Sequence, residues 1–141
     1  MKLYHGTDNK NVEKILQNGF QTKRSGAWAL GRGIYFTPDI NEAANYGDSI
    51  LEVEVEDEII EEEILDLGDN GHDLEELKNK ANNYEYAQDY KDEGDKIVSY
   101  VIEELMLCGI KFNFDVGVHI CFFNVDGLFE NGDIKEVVLN D

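Results

Sequence analysis

The chain has 141 residues, of which 42% are hydrophobic and 11% aromatic, and its formal net charge is -19 at pH 7. This length suits one domain with one core, and the hydrophobic content excludes a disordered chain. A surface of that sign repels phosphate backbones, so we expect no direct binding of DNA or RNA. A basic protein, or a protein that itself handles nucleic acid, is the partner that the charge favours.

Cysteine and histidine placement excludes several kinds of site. Cys108 and Cys121 lie in apolar runs without metal-ligand spacing, which favours buried free thiols over a disulfide. His5, His72 and His119 form no recognisable ligand pair, so we expect no metal site. The chain shows no secretion signal and no apolar run long enough to span a bilayer. We therefore expect a cytoplasmic protein that does not enter a membrane; its oligomeric state stays open.

The first half of the chain alternates between strand and helix patterns. Asp39 followed by Glu42 is close to a capping box, and apolar residues alternate with glutamates in the strand that follows. The acidic run over 56–63 is expected to repel itself as regular structure. The predicted elements are a strand over 2–5, a helix that begins after Asp8 or Asn9 and stops at Gly19, a loop over 21–30, a strand over 33–37, a helix over 40–46 and a strand over 50–56.

The second half predicts helices and then strands. A short amphipathic helix covers 74–81, and a wide apolar stripe over 97–106 indicates a core helix capped by Asp95. After Gly109 the pattern is typical of strands, over 110–114, 118–125 and 134–139. This order predicts a single α+β domain, residues 1–141, with a mostly antiparallel sheet.

The most informative segments are GRGIYF at 31–36, ANY at 44–46 and HGT at 5–7. A glycine-bracketed strand with a tyrosine, followed by a short helix ending in a second tyrosine, would bring two phenol rings to one cleft. A buried flat ring needs such stacking surfaces and a few placed polar groups, and a glycine allows close approach of the backbone. The pattern therefore suggests a nicotinamide pocket.

These segments resemble the poly(ADP-ribose)-polymerase-like, or diphtheria-toxin-like, ADP-ribosyltransferases, of the small bacterial or phage type. The resemblance covers roughly the first third of the chain well and the rest in outline. It implies an ADP-ribosyltransferase-like fold with a split, mostly antiparallel sheet flanked by helices. It also implies NAD+ as co-substrate.

The resemblance assigns roles at this NAD+ site. His5 would hydrogen-bond the ribose next to nicotinamide, and the backbone of Gly6 would pair with the carboxamide. Tyr35 and Tyr46 would sandwich the ring. Taken singly, a histidine at a strand end or a tyrosine beside a phenylalanine is more often structural; the combination favours the functional interpretation.

Further residues of the same segments belong to the implied NAD+ site, namely Thr7, Gly33 and Ala43. Ala43 departs from the family, which often has a serine there that hydrogen-bonds the carboxamide, so looser nicotinamide binding is expected. Arg32, together with Arg24, would offset the pyrophosphate charge.

The carboxylate that this chemistry needs is the least determined element. Transfer breaks the bond between nicotinamide and ribose through a cation-like transition state, which a nearby carboxylate stabilises. Asp115, just before the late strand over 119–123, and Glu136, on the last strand, compete for this role. Because one more strand follows the glutamate strand in the family, we favour Asp115 as the catalytic acid beside His5 and Tyr35, with His119 at the site mouth. The structural alternative for Asp115 is a turn residue before Gly117.

The resemblance thus implies an NAD+-dependent mono-ADP-ribosyltransferase that modifies a protein side chain. Because the favoured acid is an aspartate that does not lie where the polymerases have their glutamate, we expect transfer of a single ADP-ribose and no elongation to a poly(ADP-ribose) chain. Two alternatives stay open: an NAD+ glycohydrolase, and a non-catalytic acidic inhibitor that mimics nucleic acid. The small size and acidity would suit a bacterial or phage effector with a basic or nucleic-acid-associated protein target.

Overall fold

The structure, a computed structural model, describes residues 1–21 and 30–139. Within these ranges it has seven strands: β1 (Lys2–Thr7), β2 (Ile34–Phe36), β3 (Ser49–Glu54), β4 (Ile64–Asp66), β5 (Gly109–Phe114), β6 (Gly117–Phe122) and β7 (Lys135–Val137). They form a three-stranded sheet of order β1-β3-β7 and a four-stranded sheet of order β2-β6-β5-β4. All neighbours are antiparallel except β4 and β5.

The same ranges contain five α-helices: α1 (Asn9–Asn18), α2 (Ile40–Ala43), α3 (Asp57–Glu62), α4 (Gly71–Asn82) and α5 (Glu93–Ser99). Short 3-10 turns cover Ala44–Tyr46, Glu85–Ala87 and Asn131–Asp133, and a π-helical turn, Tyr100–Glu104, follows α5. None of these helices is long and apolar enough to cross a membrane. The α+β class with mostly antiparallel sheets is confirmed. The predicted loop over 21–30, with Lys23 and Arg24, lies almost wholly outside the described residues.

The edges of the two sheets are joined at one residue pair, which we call the seam. Tyr4 of β1 and Thr37, which directly follows β2, exchange both backbone hydrogen bonds, at 2.8 and 2.9 Å. Backbone groups of alternate strand residues point to the same edge, so Gly6 shares this edge with Tyr4. Beyond the seam the two sheets part, and Gly6 lies at that opening.

Two cores form because strand residues alternate between faces. Phe36 and Phe122 point into a core between the two sheets, together with Leu3 and Val53. Cys121, the neighbour of Phe122, points to the other face of the four-stranded sheet, where α4 and α5 cover it. Cys121 is buried and Cys108 partly buried, both as free thiols.

The acidic segment over 56–63 is helical, so the expectation of irregular structure there is wrong. It forms α3, whose first turn carries Asp57 and Glu58. Carboxylates at a helix N-terminus interact favourably with the unpaired backbone N–H groups, which offsets their mutual repulsion. The N-terminal ammonium of Met1 also pairs with Asp57 at 3.0 Å, and Ile60 is buried.

The core helix begins earlier than predicted. The side chain of Asp92 accepts a hydrogen bond from the Gly94 N–H at 2.6 Å and caps α5. Asp95, the predicted cap, instead accepts from Arg32 Nε at 2.7 Å. The predicted cap differs from the observed one because Asp95 pairs with the distant Arg32, a contact that a local capping pattern does not reveal.

We predict that Gly109→Ala destabilises the fold by about 1–3 kcal/mol, the usual cost of overpacking. A Cβ at Gly109 would overlap the carbonyl oxygen of Cys121, which belongs to the adjacent β6 backbone. Urea unfolding measures the change. Gly71→Ala is the control, because nothing lies within 4 Å of a Cβ there, and we expect it to be neutral or stabilising by roughly 0.5 kcal/mol. Equal stability of the two variants would contradict the packing argument.

Candidate functional site

A pocket of about 520 Å³ opens where the two sheets part. This volume lies in the range of small-molecule sites. The wall is mainly apolar and aromatic, with a few polar groups. It is formed by Tyr4, His5, Gly6, Tyr35, Phe36, Thr37, Ala43, Tyr46, Phe114, Val116 and His119.

The structure brings five residues of the predicted NAD+ site to this pocket, namely His5, Gly6, Tyr35, Ala43 and Tyr46, in addition to His119, the residue predicted at its mouth. The five come from β1, β2, α2 and the turn after α2. They meet because the seam holds β1 beside β2 and because α2 packs across the end of β1. The imidazole and the two phenol rings therefore share one cavity.

Two predicted residues serve the fold instead of the pocket wall. Thr7 is buried, and its hydroxyl accepts a hydrogen bond from Asn11 Nδ2 at 3.5 Å, at the start of α1. A Cβ at Gly33 would overlap the carbonyl oxygen of Phe122, so this glycine allows β2 and β6 to approach. Neither residue is among those that line the pocket, so their assignment to NAD+ binding stays a prediction.

Arg32 is held away from the pocket by two aspartates. Its guanidinium donates from Nη2 to Asp92 at 2.6 Å and from Nε to Asp95 at 2.7 Å, and its side chain is only 25% exposed. Its backbone N–H also donates to the Gly94 carbonyl at 3.3 Å. Arg32 thus ties the segment before β2 to the first turn of α5, and its expected role in offsetting pyrophosphate charge stays a prediction. Arg24 lies outside the described residues.

Gly6 offers backbone groups to the pocket. A Cβ there would overlap the carbonyl oxygen of Ala43, so only glycine lets α2 pack this closely against β1. Since Gly6 shares the strand edge of Tyr4, its N–H and C=O point toward the opening between the sheets. One donor and one acceptor of the same residue match the two polar groups of a carboxamide.

His5 is oriented by the neighbouring strand. Its Nδ1 lies 2.7 Å from the carbonyl oxygen of Tyr35, and because a carbonyl only accepts, Nδ1 carries the proton. The ring packs edge-on against Phe20, with centroids 5.2 Å apart, and at a tilt against Phe36. The imidazole is thus fixed in position and in tautomer.

Tyr35 contributes its ring to the pocket and its hydroxyl to the fold. The hydroxyl donates to the Gly31 carbonyl at 2.6 Å and accepts from the Leu30 N–H at 3.1 Å. Burial is the main cause that raises the pKa of Tyr35, and nearby Cys121 adds to it, so the phenol stays neutral. The ring face is therefore the part available to a ligand.

A buried carboxylate, Glu42, stands behind the pocket wall, and the site prediction missed it. His119 Nε2 lies 3.7 Å from Glu42 Oε1 and 3.3 Å from the Tyr46 hydroxyl. Burial lowers the pKa of His119, and the nearby Glu42 carboxylate partly opposes this. Burial raises the pKa of Tyr46, and its hydrogen bond to Glu42 adds to the effect. A carboxylate, an imidazole and a phenol thus form one hydrogen-bonded cluster.

The capping pattern explains why Glu42 escaped notice. Asp39 does cap α2, accepting from the Asn41 N–H at 2.9 Å. However, the Asp39 N–H donates to Thr37 Oγ1 at 3.2 Å, so the return bond of a capping box is not made by Glu42. The side chain turns toward β6 instead. A glutamate three residues after a cap is compatible both with a capping box and with a side chain that turns toward β6, so the sequence alone does not distinguish the two.

Neither predicted catalytic carboxylate forms part of the pocket wall. Asp115 is exposed in the turn between β5 and β6, where the residues on either side of it, Phe114 and Val116, line the pocket. Its role as catalytic acid stays a prediction for a rim position. Glu136 is exposed on β7, opposite Leu51, in the other sheet.

The strand over 119–123 and the last strand belong to different sheets. β6 pairs with β2, and β7 closes the three-stranded sheet. His119, predicted at the site mouth, is the β6 side chain that reaches the pocket. In the part of the chain that the structure describes, no three His, Cys, Asp or Glu side chains are grouped to hold a metal ion.

Comparison with known proteins supports a relationship for the N-terminal part. Residues 1–57 match the family model described as the poly(ADP-ribose) polymerase catalytic domain. This range contains His5, Gly6, Tyr35 and Tyr46. It supports a relationship to poly(ADP-ribose)-polymerase-like ADP-ribosyltransferases.

The other comparisons add little. No curated protein matches the chain. Among solved structures, the crystal structure of an anti-CRISPR protein is similar at 13% sequence identity and a TM-score of 0.47, with 97% of this chain and 95% of that chain covered. A likeness at this level carries no argument about function.

We predict that Tyr35→Phe destabilises the protein by about 1–3 kcal/mol, because it leaves the buried Leu30 N–H without its partner and the Gly31 carbonyl with only the weak Cys121 thiol donor, 3.7 Å away. Tyr86→Phe is the matched control. Tyr86 is 70% exposed, so we expect a loss below roughly 1 kcal/mol. Urea unfolding of both variants tests this, and a similar loss for the two would show that the Tyr35 hydroxyl does not hold the segment before β2.

Proposed function

We propose that this protein is an NAD+-dependent mono-ADP-ribosyltransferase that modifies a side chain of a protein target and releases nicotinamide. The observation that carries the proposal is the convergence of His5, Gly6, Tyr35 and Tyr46 on one pocket. Function is argued from this site, since the fold alone does not determine it. The match over 1–57 is to a domain class whose substrate is NAD+.

The pocket suits the nicotinamide end of NAD+. A flat ring fits between the faces of Tyr35 and Tyr46, and the backbone of Gly6 supplies a donor and an acceptor for the carboxamide. Ala43 is fully buried and offers no hydroxyl. Carboxamide recognition therefore depends on the Gly6 backbone, and we expect modest affinity for free nicotinamide.

The ribose would lie beside His5, whose orientation the Tyr35 carbonyl fixes. Breaking the bond between ribose and nicotinamide develops positive charge on the ribose, and a negative group near the sugar stabilises it. Asp115, at the rim between Phe114 and Val116, is the carboxylate we assign to this role. In the polymerases the corresponding strand carries the glutamate, whereas β6 presents His119 to the pocket. Chain elongation is therefore not expected, and transfer of a single ADP-ribose is the expected outcome.

The target is inferred from charge. With a net charge of -19, the protein attracts basic surfaces and repels bare nucleic acid. A basic or nucleic-acid-associated protein is therefore the proposed target. A cytoplasmic bacterial or phage effector would have such targets at hand.

We predict that NAD+ binds measurably by calorimetry and that Tyr46→Ala weakens binding by about 10- to 100-fold. A stack between an aromatic side chain and a heterocycle contributes about 1–3 kcal/mol. Tyr86→Ala is the control, since Tyr86 is 70% exposed and does not line the pocket. Absence of NAD+ binding, together with strongly salt-dependent binding to a basic protein, would instead support the acidic inhibitor.

We predict that Asp115→Asn lowers transfer by on the order of 100-fold while NAD+ affinity stays close to that of the wild type. The measurement is label transfer from NAD+ to proteins of a bacterial lysate, with Glu136→Gln as the control. Undiminished transfer by Asp115→Asn would remove Asp115 from the mechanism. Release of nicotinamide without any labelled protein would identify the glycohydrolase alternative.

A further inference from the structure

We propose that Glu42 and His119 act as a carboxylate–imidazole pair, in which His119 accepts the proton of the attacking group and Glu42 positions it. This inference rests on the proposed function. His119 lines the pocket and is the catalytic residue of the pair. Glu42 lies behind it and acts through it.

The burial of Glu42 is the first argument. In the described part of the chain it is the one acidic side chain that is buried, with 8% of its surface exposed, although the protein has 31 acidic residues in all. Taking a carboxylate out of water costs several kcal/mol unless hydrogen bonds compensate. A buried acid next to a pocket therefore indicates a role that an exposed position would not serve.

Hydrogen-bond geometry is the second argument. An ionised carboxylate can only accept, so the Tyr46 hydroxyl donates to Glu42, and the hydroxyl oxygen accepts from His119 Nε2 at 3.3 Å. Glu42 Oε1 itself lies 3.7 Å from Nε2, which is within ion-pair range but beyond hydrogen-bond range. Nε2 therefore carries a proton, and Nδ1 is the nitrogen that can accept one. The Glu42 carboxylate thus fixes the tautomer of His119 through the Tyr46 hydroxyl, as a directly bonded carboxylate does for other catalytic histidines.

The protonation state suits a base. Burial lowers the pKa of His119 more than Glu42 raises it, so the imidazole is neutral at neutral pH and able to take a proton. The groups around His119 come from several elements. In the described ranges they are the titratable Glu42 and Tyr46, with Phe112 and Phe114 of β5. Asp115 is exposed in the turn before β6, and Tyr35 of β2 lines the same pocket with its hydroxyl bound to Gly31.

The reaction balances with this base. The bond from ribose C1′ to the nicotinamide ring nitrogen breaks, and its electron pair leaves with neutral nicotinamide. A lone pair of the acceptor forms the new bond to C1′, and the acceptor's proton goes to His119 Nδ1 and then to solvent. A base is needed only when the acceptor carries an O–H or N–H. We therefore infer a hydroxyl, amide or similar protic acceptor, water included, and not a carboxylate.

The test uses NAD+ with water as acceptor and follows nicotinamide release by wild type, Glu42→Gln and the matched control Glu136→Gln. We expect Glu42→Gln to lower kcat by on the order of 100-fold with KM for NAD+ little changed. The dependence of kcat on pH is a second readout, and a purely structural role of Glu42 would not change it. At low pH the rate falls as His119 becomes protonated, which forms the acidic limb of the pH profile. Because Glu42 raises the pKa of His119, Glu42→Gln should shift this fall to lower pH.

Nitrogen NMR of His119 provides a second measurement. It should show the Nε2–H tautomer in the wild type and a lower pKa in Glu42→Gln. Wild-type kcat and pH profile in Glu42→Gln would overturn the inference while leaving the proposed function intact. No nicotinamide release by the wild type, either with water or with proteins of a bacterial lysate as acceptor, would overturn the proposed function and, with it, this inference.

A variant that fails to fold does not end the test. If circular dichroism shows that Glu42→Gln is unfolded, His119→Asn decides the question. Loss of rate together with loss of the acidic limb would support the pair. A retained rate with the same pH profile would overturn it.

Discussion

The pocket depends on a short contact between two sheets. Tyr4 and Thr37 exchange two backbone hydrogen bonds, and one residue later His5 Nδ1 donates to the Tyr35 carbonyl at 2.7 Å. Both contacts hold β1 of one sheet beside β2 of the other. Because the pairing stops there, Gly6 keeps its edge groups directed into the gap. A longer ladder would close the pocket, and loss of the seam would separate the imidazole from the phenol rings.

The four-residue helix α2 turns this gap into a site. Its end packs so closely on β1 that only glycine fits at position 6, and Ala43 is fully buried there. That contact sets the positions of Glu42 on one side and Tyr46 on the other. A helix this short has little stability of its own. Its cap at Asp39 and the contact with Gly6 must therefore hold it.

Local patterns in the sequence predicted much of this arrangement. Alternation identified the strands, and the ordered segments around His5, Tyr35 and Tyr46 pointed to one cavity because they are near in sequence or adjacent in the sheets. Contacts between distant residues could not be predicted. The bond between Tyr46 and His119 spans 73 positions, and that between Arg32 and Asp95 spans 63. The local sequence around Arg32 does not show whether its guanidinium pairs with an aspartate of the same chain or with a phosphate of a ligand, because the same group serves both.

The acidic side chains at the surface and the buried Glu42 beside His119 are subject to different electrostatic screening. Most acidic side chains are at the surface, where salt at 0.1 M screens interactions beyond about 10 Å. They can govern the approach of a basic partner, and that effect weakens as salt rises. His119 lies in the apolar, aromatic pocket wall and Glu42 is buried behind it, where screening is weak, so one carboxylate there has more influence on a developing charge than many at the surface. In the proposed reaction, salt should therefore alter target recognition strongly and the chemical step little.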